Sequence, residues 1–454
     1  MAALQPVSLH VRENLKLAVP VMLSNLGHVL MGLCDNVMVG HVSALSLAAA
    51  GLANVAFNVL LLFGIGVSYA ITPLVATADG EGNDKQITDT MRHGLVVNVV
   101  NGILLACVVV FGKDVLHHLN QPREVITLSL PYLSIITFSL IPVLIFQSFR
   151  QFAEGMSNTR IALIVVLGSN LLNVILNYIL IYGHLGFPAL GLNGAGYATF
   201  ISRIIMAVGI IVYLYYHPRF KKFRTAFIPG VYSTSILRRL LHLGIPSGIQ
   251  FIFEVTAFDF SLIMMGWLGS NALAAHQIVI NLATLSYMVT SGLAAAGTIR
   301  VSYFSGRRDP GNLKRSSDTM LVLGMSVMMI FAMIFIGANT FLPHLYVNDV
   351  EVIQFASTLL IIAGLFQLSD GAQVICIAAL RGLQDVKVPM VLIFVAYWLV
   401  GLPMGYWLAF NKGLGAQGIW LGLLTGLTMT AILMYTRLRF KIREQWESAV
   451  VREK

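Results

Sequence analysis

Charge is the scarcest property of this 454-residue chain. Asp, Glu, Lys and Arg make up 11% of it, against about 25% in an ordinary soluble domain. So few charges cannot wet a whole surface, which excludes a water-soluble globular protein. Cysteine is nearly absent too. Cys34, Cys107 and Cys376 each sit in an apolar run, without metal-type spacing and without an even-numbered framework. That excludes a disulfide scaffold and a transition-metal centre, and leaves apolar filling as their expected role. The chain has no Walker motif, no His-Glu-x-x-His, no Gly-x-Ser-x-Gly and no paired-aspartate magnesium motif. ATP-driven transport and intramembrane enzyme chemistry therefore find no support, and no cofactor beyond a small ion is expected. The first apolar run, Leu15 to Val39, is too long for a signal h-region, so it is expected to be an uncleaved anchor.

What the chain has is hydrophobic length. It is 57% hydrophobic, with a mean hydropathy of +0.80. A membrane span needs about 20 mainly apolar residues. Twelve windows fit: 13–39, 45–76, 90–112, 124–148, 160–183, 190–216, 237–268, 273–304, 316–340, 350–378, 387–411 and 415–437. The expectation is an all-α polytopic membrane protein of twelve transmembrane helices, several of them tilted or kinked. Of the 29 Lys and Arg residues, 25 fall on one side if both termini are cytoplasmic. Lys113, Arg123 and Lys412 fall on the other side, and Arg203 is mid-span. The positive-inside rule thus accounts for the net charge of +9 without a nucleic-acid partner. The basic linker also suits contact with anionic lipid head groups.

That linker, 217–236, divides two halves that resemble each other: 1–216 and 237–437, with a cytoplasmic tail at 438–454. Offset by 226, Pro20 meets Pro246, Gly40 meets Gly266, Leu47-Ala48-Ala49 meets Leu273-Ala274-Ala275, Gly66 meets Gly292 and Thr72 meets Thr298. Six spans per half is an even number, so the repeat is parallel. Two pseudo-symmetric six-helix lobes around a cleft suit alternating access, the geometry of a transporter.

Within so apolar a background, an intramembrane carboxylate points to function, because a charge at the bilayer centre costs about 3 kcal/mol or more. Two stand out. Asp370 lies in Gln367-Leu368-Ser369-Asp370-Gly371-Ala372-Gln373, and Glu254 lies in Gln250-Phe251-Ile252-Phe253-Glu254-Val255. Helical spacing places Asn25, His28 and Asp35 on one face of the first span. The same spacing aligns Ser247, Gln250, Glu254 and Ser261 in the seventh. Asn170, Asn173 and Asn177 share a face of the fifth span, and Gln277, Asn281 and Thr284 a face of the eighth. Amide oxygens there suit a hard cation such as sodium. The plainer role for these amides is hydrogen bonding between helices, at about 0.6–2 kcal/mol each. Asp259 stands about 140° around the helix from Glu254, so it cannot share that stripe. Arg203 is its candidate counter-ion. Tyr287, Met288, Phe253 and Phe366 are candidate apolar cleft residues.

The chain resembles the multidrug and toxic compound extrusion (MATE) family, in its NorM-like branch. The resemblance rests on Pro20-Val21-Met22, Cys34-Asp35-Asn36-Val37-Met38-Val39-Gly40, Gly244-Ile245-Pro246, Phe253-Glu254-Val255, Ala274-Ala275-His276-Gln277-Ile278 and Ser369-Asp370-Gly371-Ala372-Gln373, in that order. It implies export of cationic amphipathic compounds by antiport with sodium or protons, from a monomer in a bacterial inner membrane. It also implies that Glu254 and Asp370 form the coupling-cation site, with Asp35 contributing and Asn173 and Asn177 in an N-lobe polar cluster. Asp259 and Phe366 depart from the pattern. Some relatives place a tyrosine where Phe366 stands, so a hydroxyl ligand is missing at that point. A lipid-linked precursor flippase is the alternative. Its phosphates would need several cations lining the cavity, where this sequence offers only Arg203.

Overall fold

The computed structural model describes residues 4–118, 121–228 and 230–453. Among them, twelve helices are long and apolar enough to cross a bilayer. They are Val7–Gly40, Ala44–Glu81, Asp84–His117, Arg123–Gly155, Arg160–Tyr182, Leu192–Tyr216, Thr234–Trp267, Ser270–Gly306, Pro310–Gly337, Val350–Gly382, Lys387–Asn411 and Gly415–Glu447, taken below as the first to twelfth. No strand occurs among the described residues.

The helices overrun the hydropathy windows, mostly at their cytoplasm-facing ends by the predicted orientation. At about 1.5 Å per residue, a 37-residue helix such as the eighth reaches about 55 Å, well beyond a hydrocarbon core of about 30 Å. Hydropathy sees only the lipid-facing part. The polar turns beyond it stay helical because side chains cap the free N–H groups. Asn83 accepts from the Gln86 amide, Asp309 from the Asn312 amide, and Asp349 from the amides of Glu351 and Val352.

Several helices are interrupted, the second among the long windows expected to kink and the fourth and eleventh not. The second breaks between Ser68 and Ile71, and the fourth at Ser139. In the eleventh, α-helical turns (Lys387–Phe394 and Leu402–Tyr406) alternate with π-helical ones (Val395–Gly401 and Trp407–Asn411). Its packing partner is the twelfth, through facing small residues. A Cβ on Gly422 would collide with the Gly405 backbone, and one on Gly418 would lie 2.5 Å from the Ala409 nitrogen. This is the small-xxx-small pattern by which membrane helices approach closely when no hydrophobic force distinguishes neighbour from lipid.

The chain forms two compact units: Leu23–Gly248, and Met1–Met22 together with Ile249–Lys454. Their boundaries differ from the expected break at the 217–236 linker. They fall inside the first and seventh helices, at positions equivalent under the 226-residue offset. The physical cause is a pair of close helix approaches at equivalent glycines. In one unit a Cβ on Gly292 would lie 2.6 Å from the Met22 nitrogen. In the other, a Cβ on Gly66 would lie 2.5 Å from the Gly248 Cα. The linker is itself folded into the Leu23–Gly248 unit. Its 3-10 turn Pro218–Phe227 buries Phe220 and Phe223 against Phe152, and Arg92 donates to the carbonyls of Thr225 and Ile228. The expected separate tail instead continues the last helix as far as Glu453, where Lys441–Glu444 and Arg443–Glu447 pairs lie along its exposed face. Of the three cysteines only Cys376 fills core space; Cys34 and Cys107 are exposed.

Candidate functional site

The tenth helix carries three buried polar side chains with long, hydrogen-bonding or charged ends. Gln367, Asp370 and Gln373 recur every three residues, which keeps them on neighbouring turns of one side. All three are buried. Small residues on the same helix let its neighbours close in: a Cβ on Gly371 would lie 2.6 Å from Met328 Cγ. Polar groups sealed in this way need partners. Gln367 Oε1 accepts from Ser286 Oγ at 2.7 Å. Gln373 Nε2 donates to Glu254 Oε1 at 2.7 Å, and Gln373 Oε1 accepts from the Tyr397 hydroxyl at 3.1 Å. Trp398 Nε1 donates to the Phe253 carbonyl at 3.0 Å, tying the eleventh helix to the seventh beside Glu254.

Asp370 is different. It is 6% exposed and accepts no hydrogen bond from any described residue. Its electrostatic neighbour is Glu254, a like charge. Two carboxylates so placed repel each other; Arg381 acts electrostatically on Glu254 but not on Asp370, so further positive charge stabilises the pair. The structure therefore brings together the Glu254 and Asp370 pair that the sequence singled out. It adds Gln373 and Tyr397, which sequence reasoning did not assign. Nothing in the apolar run around Tyr397 distinguishes it from a packing aromatic. Phe366 lies in an aromatic layer with Phe258 and Trp420, so the hydroxyl in this region comes from the eleventh helix and reaches Gln373 rather than a carboxylate.

The Leu23–Gly248 unit holds a second cluster. Asn177 Nδ2 donates to Asp35 Oδ1 and, at 3.1 Å, to Asn173 Oδ1. The Thr199 hydroxyl lies beside Asp35 and acts on its carboxylate. Asn173 and Asn177 are fully buried, and Asn177 Oδ1 has no hydrogen-bond partner, which leaves one amide oxygen unused beside a carboxylate. Arg203 acts on Asp35 electrostatically while donating to Ser139 Oγ at 2.6 Å and standing 5.0 Å from the Phe57 ring centroid. Its partners are thus in its own unit, rather than Asp259 as expected. Asn170 Nδ2 bonds the Gly27 carbonyl at 2.8 Å, the helix-to-helix role that was its plainer reading.

A third polar group was missed. Arg150, counted as a cytoplasmic charge, is 6% exposed and pairs with Glu154 at 2.7 Å, itself 3% exposed. Arg150 Nη2 also donates to Asn25 Oδ1 at 3.2 Å, and the guanidinium acts on His28. Four candidates stay outside these clusters or at their edge. Gln277 and Asn281 are exposed on the eighth helix, whose buried polar face is Ser286 and Thr290 instead. Asp259 is exposed without an ion-pair partner among the described residues. Gln250 is buried one turn before Glu254.

A repeated architecture with a carboxylate pair between its apolar helices can be compared with known proteins. The MatE family model matches the chain twice, over residues 20–179 and 246–407. The two matches together cover well over half of the chain, and the second begins 226 residues after the first. This chain belongs to the MATE family, on its NorM-like branch. A probable multidrug resistance protein NorM from Rhizobium meliloti (strain 1021) is 35% identical over 433 residues, covering 94% of this chain and 93% of the relative. A multidrug resistance protein NorM from Vibrio vulnificus (strain YJ016) is 33% identical, covering 95% and 96%. The crystal structure of the eukaryotic MATE transporter AtDTX14 has the same fold, with a TM-score of 0.86 at 20% identity over 98% of this chain and 99% of that one. As a NorM-like MATE transporter this integral membrane protein is not an enzyme.

Proposed function

We propose that this MATE protein exports cationic amphipathic compounds by antiport with sodium or protons. Glu254 and Asp370 are the coupling carboxylates in this reading, and Asp35 is a second cation-responsive site. Family membership makes the chain a multidrug efflux transporter; the ion, the substrate class and the residues are the proposal. The observation that carries it is the pairing of half-buried Glu254 with buried Asp370, which has no donor of its own.

The chemistry follows from charge balance. When the site is open to the cytoplasm and empty of ions, two carboxylates, of which only Glu254 has a counter-charge in Arg381, attract a cationic drug, and the apolar surroundings accept its hydrophobic body. When it opens outward, incoming sodium or protons neutralise the same carboxylates, and the drug loses its counter-charge and leaves. A shared site makes the two ligands exclusive, which is what antiport requires. The Asp35 cluster offers a carboxylate, the Thr199 hydroxyl and the spare Asn177 oxygen, a donor set that suits a hard cation. Sodium is the preferred ion, by family resemblance. The orientation supported by the Lys and Arg distribution is both termini in the cytoplasm, in a bacterial inner membrane, with the monomer as the working unit.

The test is ethidium efflux from everted vesicles or cells. Asp370→Asn keeps the side-chain shape and removes the charge. It should abolish energised efflux, and undiminished efflux would sink the assignment. Proteoliposomes with an imposed sodium gradient, and then an imposed pH gradient, identify the ion.

A further inference from the structure

Glu254 and Asp370 are adjacent carboxylates held in different ways. Asp370 has no hydrogen-bond donor among the described residues. Glu254 has one oxygen engaged by a side chain that is itself engaged on its other end. Gln373 is fully buried, and it uses its amide nitrogen on Glu254 Oε1 and its amide oxygen on Tyr397. No described residue donates to Glu254 Oε2.

We propose that Gln373 and Tyr397 are positioning residues for the coupling cation, with Tyr397 holding the Gln373 amide and the amide holding Glu254 so that Oε2 is the oxygen presented to the ion. This rests on the reading of Glu254 as a coupling residue.

The amide is the vulnerable part of the chain. Its two ends are nearly the same shape, and rotated by half a turn it would set its carbonyl oxygen against a carboxylate oxygen. The Tyr397 hydroxyl, donating to Gln373 Oε1, favours the productive orientation. Tyr397 in turn is held firmly. It is 1% exposed, its ring lies 6.0 Å from that of Phe258, and it sits in the π-helical stretch Val395–Gly401. The next residue, Trp398, anchors that stretch to the Phe253 carbonyl, one residue before Glu254. A π turn departs from the α-helical register, so Tyr397 and Trp398 both reach inward from adjacent positions. A free glutamate side chain loses much rotamer entropy when it is fixed. Fixing it in advance through Gln373 spares the incoming ion that cost, the usual effect of preorganisation on affinity. Asp370, left loose, can close on the ion from the other side. The pair thus has a fixed half and an adjustable half.

The experiment uses purified full-length protein in proteoliposomes, following ethidium movement as a function of the concentration of the driving cation, sodium or proton, whichever energises the wild type. Loss of one charge-assisted hydrogen bond in Gln373→Ala should raise the half-saturating cation concentration about tenfold. Tyr397→Phe, which keeps the ring and removes only the hydroxyl, should raise it about threefold. Maximal rates should stay within about twofold of wild type, because the carboxylates remain. Wild-type half-saturation in both variants, or lower maximal rates alone, would overturn the positioning role. If Gln373→Ala does not fold, Tyr397→Phe decides by itself. Glu254→Gln separates the two levels. Normal transport by that variant overturns the coupling assignment underneath, whereas a dead Glu254→Gln beside unshifted Gln373→Ala and Tyr397→Phe overturns only the positioning.

Discussion

The buried Arg150–Glu154 pair makes the sharpest test of how the Leu23–Gly248 unit is held together. Both side chains are less than a tenth exposed, and their contact is 2.7 Å. Replacing Glu154 by Leu removes the carboxylate and leaves the guanidinium enclosed, with Asn25 Oδ1 as its remaining acceptor at 3.2 Å. Breaking one side of a buried pair costs about 3–5 kcal/mol, because the partner charge stays buried without compensation. That is roughly two to four powers of ten in the ratio of folded to unfolded protein. Removing both charges is a different matter. Arg150→Met with Glu154→Leu replaces an ion pair by apolar groups of similar length, and such exchanges are often neutral or stabilising. The expected pattern is therefore non-additive. The single variant melts well below wild type in detergent, followed by far-ultraviolet circular dichroism because the Leu23–Gly248 unit holds no tryptophan, and the double variant melts close to it. A Glu154→Leu protein as stable as wild type would refute the reasoning. So would a double variant as unstable as the single one.

Other consequences are simpler. Asp35→Asn should impair energised ethidium efflux while leaving the melting temperature within a few degrees, since Asn177 and Thr199 can still bond an amide; a normal efflux rate would remove Asp35 from the coupling scheme. Gln277→Ala and Asn281→Ala, at exposed positions, should each change stability by less than about 0.5 kcal/mol, checked by the same melting assay. Gly422→Val should cripple folding and membrane expression, because a branched side chain has no room against the Gly405 backbone, and normal expression would contradict the helix packing. Ser286→Ala should cost about 0.5–1.5 kcal/mol by depriving buried Gln367 of its donor, read as a lowered melting temperature.

The clusters differ in how far they could be read from sequence. Asp370 and Glu254 are conspicuous because a carboxylate in an apolar run has few innocent explanations. Asn173 and Asn177 could be grouped because they share a helix face, and the structure places Asn177 on both Asp35 and Asn173. Gln277 and Asn281 also share a face, but that face is exposed rather than packed into a polar cluster. Periodicity says which side chains point the same way, not which way that is. Arg150 was misread because a cation near a helix end usually marks the cytoplasmic border. Here Glu154, one turn on, lets it be buried. Tyr397 and Gln373 could not be joined at all, since neither position is unusual alone.

The sequence by itself determined the membrane class, the number of spans, the offset of the internal repeat and which two carboxylates stand out in apolar runs. Apart from the repeat, which matching residues reveal, these follow from the cost of polar groups in hydrocarbon, which acts on each stretch of chain independently. Tertiary structure alone decided which polar groups meet. It placed Tyr397 on Gln373 and Gln373 on Glu254, gave Asp35 its amide donor, left Asp370 without one, and set the unit boundaries inside the first and seventh helices. Those outcomes depend on helix rotation and closeness of approach. These are fixed by glycines such as Gly66, Gly292 and Gly422, where a missing Cβ lets one backbone reach another.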